Sequence, residues 1–165
     1  MRYSRDLSLV RKKILNSIQN TDSGHLGPSF SCTEILFVIL KKYINFKNNN
    51  RNKIILSKGH AAPAIYAIFD HLKLLKRNEL NTLRKFSSRL QGHPDKKKLK
   101  LLDFGTGALG QGLSVSIGYA HSSKLLNKKN FVFCVLGDGE LQEGQIWESA
   151  MYIGSNNMKN IITFI

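Results

Sequence analysis

Six apolar residues, Phe131-Val132-Phe133-Cys134-Val135-Leu136, run without interruption and stop at Gly137-Asp138-Gly139. The run is too short for a core helix and rich in aromatic and β-branched side chains. It therefore reads as a strand buried on both faces, the pattern of a parallel sheet interior. Parallel neighbours need long crossover connections, usually helical, so the rest of the chain must supply helices for two faces. It does. Leu7, Val10, Ile14 and Ile18 step at helical spacing and predict a helix over 5–20. Ser31 and Glu34 form a capping-box pattern ahead of a helix over 32–44. Ile54-Ile55-Leu56 is a short strand, followed by an Ala-rich helix with Pro63 in its first turn. Helices are expected over 77–88, 110–126 and 143–155, and Ile161 to Ile165 is a strand pattern. Residues 23–28 read as a loop, and 99–104 leave room for a further strand. The expected fold is α/β, a mainly parallel sheet flanked by helices. A single domain is expected over 1–165. It stops inside a strand pattern with no polar tail or cap, so it is expected to be incomplete at its C-terminus.

Charge narrows the partners less than its size implies. Lys and Arg number 25 against 11 Asp and Glu, a formal net charge of +14. The lysines are scattered among Asn and Ile rather than clustered with aromatics on one face, so they read as solvated surface and not as a nucleic-acid site. Cys32 and Cys134 have no Cys or His at metal-ligand spacing and sit in apolar surroundings, which predicts reduced core thiols. No apolar run approaches the ~18 residues of a membrane span, and Met1 to Arg11 lacks the apolar core of a secretory leader. A soluble, cytoplasmic protein is the expectation.

Functional chemistry is concentrated in the loops. Asp138 stands between glycines just past a buried strand, at the carboxyl end of the sheet, where open α/β folds bind ligands. A lone carboxylate there suits magnesium, which takes one or two protein carboxylates and leaves positions for phosphate oxygens and water; Asp-Gly is also a common turn pair. Gly105, Gly107 and Gly110 match G-x-G-x-x-G before a helix. A dinucleotide site is disfavoured, because Asp138 lies 28 positions beyond Gly110 (138 − 110), whereas the ribose-binding acid is expected about 20 residues on. His25, His60 and His93 each stand in a loop beside glycine or proline, suited to proton transfer and to hydrogen bonding a polyhydroxyl substrate. His71 and His121 fall inside helical stretches and read as ordinary.

Five segments occur in one order: Ser23-Gly24-His25, Leu56-Ser57-Lys58-Gly59-His60-Ala61, Gly92-His93-Pro94, Thr106-Gly107-Ala108-Leu109-Gly110-Gln111-Gly112, and Gly137-Asp138-Gly139-Glu140-Leu141-Gln142-Glu143-Gly144. In that order the chain resembles the transketolases from about residue 7 to 165, most closely the N-terminal subunit of the split form. Deoxyxylulose-phosphate synthases have a different glycine loop and lack the Gly-Gln-Gly and Leu-Gln-Glu-Gly runs. The resemblance implies thiamine diphosphate and Mg2+ as cofactors, and transfer of a two-carbon ketol unit from a ketose phosphate to an aldose phosphate. Asp138 would ligate the metal and the Gly139 backbone would contact the diphosphate. His60 would touch the diphosphate and face the reaction centre. Gly107, Ala108 and Leu109 would line the cofactor site. His25 and His93 would contact the donor sugar, and Glu143 and Glu148 would sit at a subunit interface.

Two departures qualify that reading. The family's thiamine motif closes with a metal-ligating asparagine whose place falls just beyond Ile165, and Asn156 and Asn157 lie too early to take the role. The glycine loop carries Ala108 where many members have proline, which leaves the same backbone available. A C-terminal partner subunit is therefore expected to be needed for activity. The alternative is a degenerate, non-catalytic fragment that keeps the fold as an interaction partner.

Overall fold

The structure, a computed structural model, describes residues 3–165. Helix α1 (Ser4–Gln19), α2 (Leu26–Ser31) and α3 (Thr33–Lys42) precede β1 (Lys53–Leu56) and α4 (Ala62–His71). After a long irregular segment come α5 (Gln111–Leu125), β2 (Val132–Val135), α6 (Gly144–Ser155) and β3 (Ile161–Phe164). The strands form one parallel sheet in the order β1-β2-β3, with Ile55 opposite Cys134 and Cys134 opposite Thr163. The apolar run that demanded a buried central strand occupies the centre, and every residue of β2 is buried.

Alternation along the strands splits the core in two. Ile54, Leu56, Phe133 and Val135 pack with α1, α3 and α4 on one face. Ile55, Val132, Cys134 and Leu136 pack with residues of α5 and α6 on the other. Cys32 and Cys134 are buried free thiols, pushed up to about 11 and about 12 by desolvation. No described helix is long and apolar enough to cross a membrane.

Four local expectations are corrected. Residues 77–88 form no helix; they hold one 3-10 turn, Glu79–Thr82, with Asn78, Arg84 and Ser87 in the left-handed region at φ 62°, 58° and 61°. The Glu79 carboxylate fixes this hairpin-like path, accepting from Arg89 Nε at 2.7 Å, Arg89 Nη2 at 2.8 Å and the Lys76 N–H at 2.9 Å. Residues 99–104 form no strand. Leu99 and Leu102 are buried there, and Asp103 accepts from Arg51 at 2.7 Å and from the Ile54 N–H at 3.0 Å, pinning the segment to the start of β1. Residues 26–28, read as part of a loop over 23–28, instead open the short helix α2 (Leu26–Ser31). Pro28 is its third residue, where the proline's missing N–H has no intrahelical partner to lose. The capping box is absent: α3 starts after Cys32, the Ser31 hydroxyl bonds Pro28 O at 3.1 Å, and Glu34 pairs with Arg11.

Candidate functional site

The loops leaving β1 and β2 rise from the carboxyl edge of the sheet, and the glycine loop ahead of α5 comes down between them. Three contacts set their spacing. A Cβ on Gly59 would lie 2.9 Å from the Thr106 carbonyl oxygen and 3.0 Å from the Gly107 nitrogen, so the His60 turn and the glycine loop touch backbone to backbone. A Cβ on Gly112 would lie 2.4 Å from the Ser57 side chain, so the first turn of α5 rests on the end of β1. Thr106 Oγ1 donates to Leu56 O at 2.7 Å. Gly110 turns into α5 at φ 82°, a conformation glycine adopts without penalty.

His60 sits in the 3-10 turn Gly59–Ala61, directly before α4. Its ring meets that of His25 at 5.5 Å between centroids, edge to face. His25 precedes α2, held there by Ser29, which donates to His25 O from its N–H at 3.2 Å and its hydroxyl at 2.6 Å. His93 reaches the same region from the other side, and a Cβ on Gly107 would lie 3.4 Å from its Cγ. The His60 turn and His93 thus flank the glycine loop, and His25 stands behind His60. Burial, reinforced by the Lys58 ammonium and by His25, holds the His60 imidazolium below its ordinary value, so the ring is neutral near pH 7.

A cleft of ≈ 290 Å³ opens beside them, lined by Gly27, Pro28, Lys58, His60, Leu109 and the stretch Gly137–Glu140. Asp138 is exposed at its rim, and a Cβ on Gly139 would meet nothing within 4 Å, so a bulky anion can approach the backbone there. Leu109 is 40 % exposed and faces the opening, and Ala108 beside it is also exposed. No group of three or more His, Cys, Asp or Glu among the described residues could enclose a metal ion by itself, so Asp138 stands as a single carboxylate.

Sequence reasoning missed two charged residues of this cleft. Lys58 is only 7 % exposed and donates to Ser31 Oγ at 3.2 Å; among the described residues no carboxylate pairs with it. A buried ammonium without an anion is costly, and it lines a cleft open to one. Glu140 is 1 % exposed. Its Oε1 accepts from Ser57 Oγ and the Gly110 N–H, each at 2.7 Å, and its Oε2 accepts from the Gly137 N–H at 2.8 Å. One signal was available for Glu140, a glutamate three residues after Gly137 at the start of a helical turn, where such side chains reach back to the N-cap amide.

Glu143 and Glu148 lie away from this cleft. Glu143 precedes α6 and packs its stem where a Cβ on Gly110 would meet it at 2.9 Å; Glu148 is exposed on α6. Asn156 and Asn157 fall in the turn after α6, where Asn156 Nδ2 donates to Tyr152 O at 2.9 Å.

The family model for the transketolase thiamine diphosphate-binding domain matches residues 4–165. Transketolase from Pongo abelii is 39 % identical over 160 residues, covering 92 % of this chain and 26 % of its own length. The 6-deoxy-6-sulfo-D-fructose transketolase subunit SqwG of a Clostridium strain is 33 % identical over 162 residues, covering 95 % of this chain and 59 % of its own. The crystal structure of transketolase from Campylobacter jejuni superposes with a TM-score of 0.86 at 28 % identity, over 95 % of this chain and 27 % of that one. The chain thus spans about a quarter of the transketolases it matches and 59 % of the SqwG subunit.

Proposed function

Because this chain belongs to the transketolase thiamine diphosphate-binding domain family, we propose that it is the diphosphate-side part of a transketolase, moving a two-carbon ketol unit from a ketose phosphate to an aldose phosphate. The observation that carries the reading is the convergence of His60, Leu109 and Asp138 on one cleft that also holds the buried, carboxylate-free ammonium of Lys58. A diphosphate satisfies that ammonium, and the open backbone at Gly139 lets it approach. Asp138 would hold Mg2+ as a single carboxylate ligand, and the ion would supply charge neutralisation for a diphosphate there. Gly107, Ala108 and Leu109 line the cofactor's path with backbone groups and an apolar side chain.

When bound, thiamine diphosphate supplies the electron sink for breaking and forming a carbon–carbon bond. This chain's residues hold and orient. His60, neutral and touching His25, donates or accepts a proton at its ring nitrogens. His25 and His93 flank it and hydrogen-bond the hydroxyls of the donor sugar. Glu143 and Glu148 belong to an interface with a partner polypeptide that brings the pyrimidine-side half. The subunit named in the SqwG relative supports a split arrangement.

Titration with thiamine diphosphate in the presence and absence of Mg2+, followed by calorimetry with the C-terminal partner supplied, tests this. Metal-dependent binding is expected, lost on Asp138→Ala. Ketol transfer is expected only from the chain with its partner. Folded chain and partner that assemble without binding the cofactor would instead support a non-catalytic interaction fragment, and turnover by the chain alone would overturn the need for a second half.

A further inference from the structure

Glu140 does not line the cleft as a bystander. Its three hydrogen bonds go to three separate loops: the Ser57 hydroxyl in the turn carrying His60, the Gly110 amide closing the glycine loop, and the Gly137 amide opening the loop of Asp138. These are the three segments the proposed diphosphate site is made from, and they are joined by one carboxylate that is 1 % exposed. Charged acceptors on backbone amides make hydrogen bonds of roughly twice the ordinary strength. Two of the donors have no substitute, because a buried amide left without an acceptor carries the full desolvation penalty. The Gly110 amide also begins α5, so the carboxylate lies at the positive end of a 15-residue helix. The Lys58 side chain stands beside Gly137, where a Cβ on that glycine would meet it at 3.6 Å and Glu140 Oε2 at 3.9 Å.

We infer that Glu140 is a positioning residue, a carboxylate clamp that sets the aperture between the His60, Gly107–Leu109 and Asp138 loops before any ligand arrives. The inference rests on the diphosphate reading of the cleft for its functional consequence, and on the three hydrogen bonds alone for its mechanical part. It distinguishes Glu140 from a residue that merely fills the core, because its partners are loop groups rather than the packed faces of the sheet.

The test uses Glu140→Gln in the full chain with its partner, with two readouts. The amide group keeps the size of the side chain but offers one acceptor oxygen in place of two, so at least one loop amide loses its partner. Without ligand, hydrogen exchange at the Gly110 or Gly137 amide is expected to accelerate while the amides of β1 and β2 stay protected. With Mg2+ present, the Kd for thiamine diphosphate is expected to rise about tenfold or more, as for loss of a hydrogen bond to a charged group. Ser57→Ala, which leaves both amide bonds in place, is expected to give a smaller rise. Unchanged exchange at both glycines, or acceleration spread evenly through the sheet, would overturn the clamp. So would a Kd within about twofold of the parent despite faster glycine exchange. If the parent itself binds no thiamine diphosphate, the diphosphate reading fails, and the exchange experiment still decides the clamp.

Discussion

Helices α4 and α6 have similar length and both follow a strand whose loop feeds the cleft, yet they meet opposite surroundings. In α4 every residue from Ala62 to Phe69 is buried, and the helix packs against α1 and α3. In α6 only Ile146 and Ser149 are buried, while Trp147 is 57 % and Met151 67 % exposed. Those two side chains are four residues apart and so share one face. A helix apolar on all sides belongs inside, whereas an apolar stripe turned outward carries Trp and Met, residue types that interfaces favour. One helix is thus enclosed by this chain and the other keeps an apolar face in contact with solvent, on the helix that carries Glu148 and follows Glu143.

The contrast can be broken by experiment. Phe69→Ala should give the largest effect, a loss of about 3–5 kcal/mol in chemical denaturation, because the ring is fully buried and packs edge to face on Phe46. A loss near zero would mean that α4 is not the packed element described. A smaller effect comes from the turn at the head of α4. The folded state holds His60 below 6.5, its ordinary value, chiefly by burial, so the unfolded chain binds the proton more readily. Its contribution to stability is complete above about pH 6.5 and is lost as pH falls through that value toward the folded one. NMR titration of the ring should show this midpoint below that of an exposed histidine, and a midpoint at or above it would contradict the packing of the turn. The smallest effect is expected from Met151→Ala, within about 0.5 kcal/mol for the chain by itself. The same change should weaken association with the partner, read by sedimentation; if it destabilises the chain as much as Phe69→Ala, the outward face of α6 is not an interface.

Legibility followed the same divide between local and distant causes. The run Phe131–Leu136 announced β2 because burial on both faces leaves a pattern in consecutive residues. The motif loops were readable because glycine beside histidine or aspartate is a local signature, and in the structure the His60 turn and His93 meet one glycine loop while His25 packs on His60. Residues 77–88 misled because Leu80 and Leu83 are buried at helical spacing, while the path is set by Asn78, Arg84 and Ser87 in left-handed turns and by the Arg89–Glu79 pair. Lys58 and Glu140 were hidden for a different reason. Both belong to residue types usually found in water, and their burial arises where segments far apart in sequence close over one another, as the Ser57–Glu140 bond shows.

The parallel register has a consequence for how such a chain is born. Lys53 pairs with Val132, and Val132 in turn with Ile161. During synthesis β1 emerges long before the strand that completes it, and it must wait, apolar on both sides, while the intervening stretch is made. Closing so large a loop is slow. The early helices α1, α3 and α4 can cover one side of the waiting strand, whereas its other side stays open until α5 and β2 arrive. Ser57 waits longest of all in β1's loop, because its hydroxyl's acceptor, Glu140, lies 83 residues further on, and the cleft cannot take its shape until both are present.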